Sequence, residues 1–314
     1  MLCDLNIVFP VSDYNEQITK GQLNDLKNTI NVAEQLGYTH IALNFRPETT
    51  TSNSNKKKLS NDLNQINPIN LDRDFKEYEN RIKLFTRITI KIDDPSQCQN
   101  VAKFQQIFDI VAVEPLTEKS FQSTISNLEV DMISFNLQDR LPCYMKHKTL
   151  GAAIEKGMFF EIKYTDFLSN KNRAQAISNC KQIIRASRNR GMICSSGCSI
   201  DRPYQLRNCN NVKPLLKMLN IDSNRCSKMF QDWSLKVLLN GRLRIKSYKQ
   251  TIAVSGDDGL IDNSLEDNDW DSAKNEKINN AKQNINTYKK RKNETALDRI
   301  LKKRKVLQNE PLIQ

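Results

Sequence analysis

With 314 residues, 38% of them hydrophobic, the chain is long enough for one large α/β domain or two small ones around a buried core. It has no apolar run of the roughly 18 residues that a membrane helix needs and no apolar stretch near its start, so neither a span nor a secretory signal is expected. The net charge of +12 points to a polyanionic partner, nucleic acid before membrane.

The first predicted strand lies near 2–8, in MLCDLNIVFP. A helix follows over 22–37, where Leu23, Leu26, Ile30, Ala33 and Leu36 recur about one turn apart and Gly37 stands where a C-cap is expected. YTHIALNF (38–45) is the second strand. Residues 46–67, rich in Ser, Thr, Asn and Lys, read as a polar insertion that is expected to be mobile. Strands then alternate with helices: LFTRITIKI (84–92), a helix near 97–107, DIVAVE (109–114), a helix from Thr117 to about Asn127, VDMISFN (130–136), a helix near 144–156, MFFEIKY (158–164), a long helix over 170–190 and GMICSS (191–196). Seven strands separated by helices imply parallel strands. An α/β barrel of 7–8 parallel strands over residues 1–248 is the preferred closure, with Asn211-Val212 as a degenerate eighth position; an open doubly wound sheet is the alternative. Asp222 or Ser223 then caps a helix carrying Cys226, Met229, Trp233, Val237 and Leu238, which ends at Gly241.

Residues 249–314 read as a disordered tail. They carry 13 basic and 11 acidic side chains, so that +10 of the +12 stays on residues 1–248. Within the tail the charges are in blocks, acidic over 257–271 and basic over 274–305. Two clusters, Lys289, Lys290, Arg291, Lys292 and Lys302, Lys303, Arg304, Lys305, have the spacing of a bipartite nuclear import signal.

Catalytic patterns are scarce. Many metal-dependent phosphoesterase barrels open with Asp-x-His-x-His on the first strand, because alternation aims both imidazoles at one metal cluster. Here Asp4 is followed by Asn6 and Val8 at those places. The chain has two histidines, His40 within a strand pattern and His147 among basic residues near a helix start, too few for such a centre. Asp4, Asp94 and Glu161 could hold a lone magnesium ion, though nothing requires it. There is no GxSxG, GxxxxGK[ST] or GxGxxG. Ser195-Ser196-Gly197 reads as a small-residue turn before it reads as a phosphate-binding one. Eight cysteines scatter through apolar segments without a CxxC pair, as reduced intracellular thiols do; Cys194, Cys198 and Cys209 make an incomplete zinc set.

The basic residues are better organised. In KNRAQAISNCKQIIRASRNRG, an apolar arc of Ala176, Ile177, Cys180, Ile183 and Ile184 is flanked by a stripe of Lys181, Arg185 and Arg188, and no acidic residue occurs between Asp166 and Asp201. Such a stripe can follow a phosphate backbone. Arg190, Arg202, Arg225 and Lys228 extend the set. NGRLRIKSYK, with Arg242, Arg244 and Lys246, reads as a basic extended exit peptide suited to phosphates. No dense aromatic platform accompanies them, so backbone and shape reading is expected in place of base recognition.

LGYTHIALNF (36–45), RITIKIDDPSQ (87–97), FDIVAVEPLTEK (108–119), ASRNRG (186–191) and DSNRCSKMFQDWSLKVLLNGRLRIKS (222–247) resemble the barrel-type protein subunit of eukaryotic nuclear RNase P and RNase MRP, in its fungal form. The resemblance covers roughly residues 1–250. It implies a barrel of the polymerase-and-histidinol-phosphatase (PHP) type that kept its fold after losing its metal ligands. It also implies a noncatalytic role, with no catalytic residue, metal or cofactor of its own. RNase P removes 5′ leaders from precursor tRNA and RNase MRP cuts ribosomal RNA precursors, with the hydrolysis carried by the RNA. The implied partners are the two catalytic RNAs, a small α/β protein subunit and other proteins of the complex, with precursor tRNA met indirectly. The implied location is the nucleus and its nucleolus. A stand-alone metal-dependent phosphoesterase or nuclease is the rival expectation, and a pure protein–protein adaptor the third.

Overall fold

The computed structural model describes residues 1–14, 16–47, 67–169 and 172–246. Seven strands form one parallel sheet in sequence order: β1 (Cys3–Val8), β2 (His40–Phe45), β3 (Lys83–Ile92), β4 (Ile110–Pro115), β5 (Met132–Ser134), β6 (Phe159–Lys163) and β7 (Met192–Ser195). Between and after them lie α1 (Lys20–Gln35), α2 (Leu71–Asp74), α3 (Val101–Phe104), α4 (Glu118–Asn127), α5 (His147–Glu155), α6 (Thr165–Leu168), α7 (Arg173–Ser187), α8 (Cys209–Met218), α9 (Ser223–Phe230) and α10 (Asp232–Lys246).

The sheet curls until its first and last edges nearly meet. Ile7 and Cys198 form a single parallel bridge, and Val8 N–H donates to the Cys198 carbonyl at 2.9 Å. Elsewhere the seam is held by a side chain: Asp4 Oδ1 accepts from Ser196 N–H at 3.0 Å and from Asn6 N–H at 3.2 Å. No eighth strand occurs among the described residues. Asn211-Val212, the expected degenerate position, lies inside α8, where Asn208 caps the helix and Val212 is buried. The barrel expectation holds with seven strands.

Local signals explain most element ends. Thr19 and Gln22 make a capping box for α1, whose Leu26, Ile30 and Ala33 are buried against the strands. The chain leaves this helix through Gly37 at φ +92, a left-handed geometry that favours glycine. Three expectations need correction. Residues 97–107 hold a tight 3-10 stretch, Pro95–Asn100, and the four-residue α3 in place of one regular helix. β5 is only three residues long. The helix read as ending at Gly241 is two helices, broken at Gln231 (φ −117, ψ −93), and the second runs on through Gly241 to Lys246.

Gly241 is therefore a contact residue and not a terminator. A Cβ there would sit 1.8 Å from the Asp109 carbonyl oxygen, so α10 can approach the start of β4 only with glycine at this place. The approach stops the end of the barrel at which the strands begin. Arg244 donates to Asp131 Oδ1 at 2.6 Å and to the carbonyls of Gln105 and Asp109, while Arg242 lies 3.3 Å from Asp109 Oδ1 and over the Phe85 ring at 5.3 Å. Both aspartates also accept strand N–H groups, from Thr86 and Val111. The expectation of an extended exit peptide is thus overturned, since these residues belong to α10; Arg244 and Arg242 face the barrel's own carboxylates.

His40 is packed inside β2. Its ring stacks on Phe85 at 6.0 Å, and Nδ1 lies 2.8 Å from Thr39 Oγ1. Burial, with Lys83 and the N-terminus nearby, lowers its pKa to about 4.

Two outcomes follow from this packing. Gly241→Ala should cost about 3 kcal/mol by urea unfolding, since a backbone carbonyl cannot move aside as a side chain can. Between pH ~6.5 and about 4 only the unfolded chain can protonate residue 40, so acid should destabilise wild type relative to His40→Gln across that window, and the difference should level off below it. Thermal unfolding of both proteins against pH checks this.

Candidate functional site

Barrels of this class carry their chemistry where the strands end, and the interior here is occupied by a polar network. Arg87 on β3 and Glu161 on β6 are both 0% exposed. Two strands separate them in the sheet, so they can meet only through the barrel's interior. They do so as a two-pronged ion pair, Nη1 to Oε1 at 2.6 Å and Nη2 to Oε2 at 2.7 Å. Arg87 Nη1 also donates to the Leu5 carbonyl at 2.7 Å and Nε to Thr89 Oγ1 at 3.2 Å. Glu161 Oε1 accepts further bonds from Asn6 Nδ2 at 2.9 Å and Ser195 Oγ at 2.6 Å. The chain of bonds continues sideways, with Asn44 donating to Asn6 Oδ1 at 2.7 Å and Thr89 donating to Asn44 Oδ1 at 2.8 Å. Five strands are tied together in this way.

The electrostatics follow from the geometry. Burial pushes the Glu161 carboxyl up, but Arg87, helped by Lys163 and Ser134, outweighs it and holds the group well below the usual carboxylate range. Glu161 is an ionised carboxylate whose lone pairs are taken by protein donors. Asn6 joins this network through its amide. Asp4 spends Oδ1 on the seam; its Oδ2 is buried without a partner, and burial raises its pKa. Asp94 is exposed beyond β3. Ser196 N–H, which a phosphate-binding turn would need free, goes to Asp4. Among the described residues no three His, Cys, Asp or Glu gather into a metal-binding group, Cys194, Cys198 and Cys209 included. These donors do not fit a phosphoesterase metal centre, because a fixed guanidinium already neutralises the carboxylate that would have to serve it.

The outside differs. A groove of about 680 Å³ lies between α7 and the connection from β5 to α5. Lys181 and Arg185 of α7 form one wall; Tyr144, Lys146 and His147 form the other. The apolar arc of α7 is buried as expected, at Ala176, Cys180, Ile183 and Ile184, which turns Lys181 and Arg185 outward. His147 Nδ1 lies 2.9 Å from the Ala186 carbonyl, and Asn179 Nδ2 donates to the carbonyls of Leu137 and Asp139 at 2.9 and 2.7 Å. Both ties clamp the connection onto α7. No side chain caps the start of α5. None of the described ion pairs involves Lys146, Lys181 or Arg185.

The other predicted residues are placed elsewhere. Arg188 ends α7 in a left-handed conformation (φ 55) and is exposed, as is Arg190 in the following turn. Arg225 donates to the carbonyls of Arg188 and Asn189, both at 3.0 Å, so its guanidinium secures that turn; Lys228 is exposed one helical turn further on. Arg202 lines a smaller cavity of about 290 Å³ with Asp166 and Asp201. The Lys246 side chain and Lys289, Lys290, Arg291, Lys292, Lys302, Lys303, Arg304 and Lys305 lie outside the described residues. Sequence reasoning did not single out Tyr144 and Lys146. The signal was the run YMKH, which meets a second basic segment only once α5 packs on α7.

By class the chain is a parallel α/β barrel whose interior is bridged by a buried ion pair. Residues 1–246 match the family described as RNase P subunit p30, and the chain belongs to this family. It is 41% identical over 270 residues to the ribonuclease P/MRP protein subunit RPP1 of Saccharomyces cerevisiae, covering 85% of this chain and 89% of that one. It is 30% identical over 256 residues to a probable ribonuclease P protein subunit 3 of Schizosaccharomyces pombe, covering 80% and 98%. Its fold is shared by a chain in a cryo-EM structure of archaeal ribonuclease P with mature tRNA, with a TM-score of 0.58 at 15% identity, covering 81% of this chain and 98% of that one.

The interior pair sets a stability test. Arg87→Met strands a buried carboxylate and should cost about 3–5 kcal/mol. Adding Glu161→Leu removes the stranded charge and should recover most of that loss, a coupling readable from denaturant unfolding of the two single variants and the double.

Proposed function

We propose that the chain is a noncatalytic RNA-binding subunit of ribonuclease P and ribonuclease MRP. In this reading it helps to hold the RNA that removes precursor-tRNA 5′ leaders and that acts on precursor ribosomal RNA. The observation that carries the noncatalytic half is the Arg87–Glu161 pair, which takes up the carboxylate that metal-assisted hydrolysis would need. The RNA-binding half is supported by the +10 on residues 1–248 and by cations unspent on internal carboxylates in the groove along α7. The names of its relatives, ribonuclease P and ribonuclease P/MRP subunits, supply the complex. The partners in this reading are the two catalytic RNAs, a small α/β protein subunit and further proteins of the complex, with precursor tRNA met through the assembly. Nuclear and nucleolar location belongs to the same proposal and would be served by the lysine and arginine clusters between Lys289 and Lys305.

RNA recovered with a tagged copy from nuclear extract tests the assignment: long structured RNAs of the two ribonucleoproteins should co-purify, and depletion should leave precursor-tRNA leaders uncut. For the surface, Lys181→Glu with Arg185→Glu should weaken assembly with the RNA. It should also make the fall of log K with log[salt] shallower by about one for each phosphate the variant no longer neutralises. An unchanged salt slope would remove α7 from the RNA face.

A further inference from the structure

Tyr144 stands out on the basic groove. It is 71% exposed, although the residues around it are anchored. Met145 and Leu141 are buried, and the connection from Leu137 to Asp139 is pinned by Asn179. The backbone is thus held while the phenol ring stands in solvent at the edge of the groove, beside Lys146 and across from Lys181 and Arg185. Of the exposed large hydrophobic side chains among the described residues, Tyr144 is the one that lines the basic groove.

The surrounding chemistry restricts what could cover it. There is no acidic residue from Arg140 to Ile154 or from Phe167 to Ile200, so neither wall carries a carboxylate of its own, and none of the described ion pairs involves Lys146, Lys181 or Arg185. A flat ring flanked by ammonium and guanidinium groups matches an unpaired nucleotide, whose base has a π face and whose flanking phosphates are anionic. The volume, about 680 Å³, is within the range of about 300–1,000 Å³ seen for clefts that take ligands of nucleotide size. An apolar peptide would fit the ring but would leave three cations against it unsatisfied.

We propose that this groove is a single-stranded RNA subsite in which one base stacks on Tyr144 while Lys181, Arg185 and Lys146 hold the phosphates on either side. The proposal rests on the RNA-binding reading above and adds to it a base contact, where charge and spacing in the sequence led to the expectation of backbone reading only. Stacking accepts any base, so the subsite selects an unpaired nucleotide and not a sequence.

The test uses the full-length protein with two fluorescent probes of equal length, a short oligoadenylate and its abasic counterpart, which keeps the phosphates and lacks the bases. Tyr144→Ala should weaken oligoadenylate binding about tenfold and leave abasic binding and the salt slope unchanged, whereas Tyr144→Trp should keep or tighten it. Lys181→Glu with Arg185→Glu should weaken both probes and flatten the salt slope. If Tyr144→Ala leaves oligoadenylate affinity intact while the double reversal lowers it, the stacking proposal falls and the RNA-binding reading stands. If neither variant changes binding of either probe, the groove is not an RNA site and both fall at this surface. If Tyr144→Ala spares RNA binding but weakens co-assembly with the protein subunits of the complex, the groove is a protein-docking site and the proposal is overturned.

Discussion

Arg87 and Glu161 reach across the barrel from strands that never touch, and the arrangement of the interior depends on their meeting. A seven-stranded barrel leaves a space between non-neighbouring strands that must be filled by side chains, and any charge placed there must be matched. Here the filling is a guanidinium on a carboxylate, with further bonds of the pair directed at Leu5, Thr89, Asn6 and Ser195. With its lone pairs satisfied internally, the Glu161 carboxylate serves as a polar cross-link between strands.

The two ends of the barrel are treated differently. Where the strands begin, α10 closes the opening, and Gly241 allows a backbone approach that any side chain would prevent. Arg242 and Arg244 then answer Asp109 and Asp131, whose carboxylates also accept the Thr86 and Val111 N–H groups of β3 and β4. Lys181 and Arg185 of α7 and Lys146 of the β5–α5 connection have no carboxylate partner among the described residues, so their field reaches solvent and can act on a polyanion. Cations matched by carboxylates at the α10 end thus contrast with cations along α7 that have no such match among the described residues.

Much of the architecture is legible in the sequence. Apolar β-branched runs at regular spacing specify parallel strands, because a strand buried on both faces has no polar face to show. The α1 pattern and Gly37 mark a helix and its end through local rules. The misreadings share a cause. Gly241 reads as a stop because glycine commonly ends helices, but here a distant carbonyl determines the residue. Asn211-Val212 reads as a strand that would complete the barrel, whereas the seam is closed by Asp4 and the Cys198 bridge. Both depend on contacts between segments far apart in sequence.

What the sequence determined unaided is the alternation of strands and helices, the excess of positive charge on residues 1–248, and the poverty in histidine that leaves too few imidazoles for a metal cluster. These are sums and periodicities, which need no knowledge of neighbours. Only the tertiary structure decided which arginines pair with the protein's own carboxylates and which do not, and it alone put Tyr144 across a groove from Lys181 and Arg185. Charge and exposure at a site depend on what lies within a few ångströms, and in a barrel those neighbours come from strands and helices that the chain visits tens of residues apart.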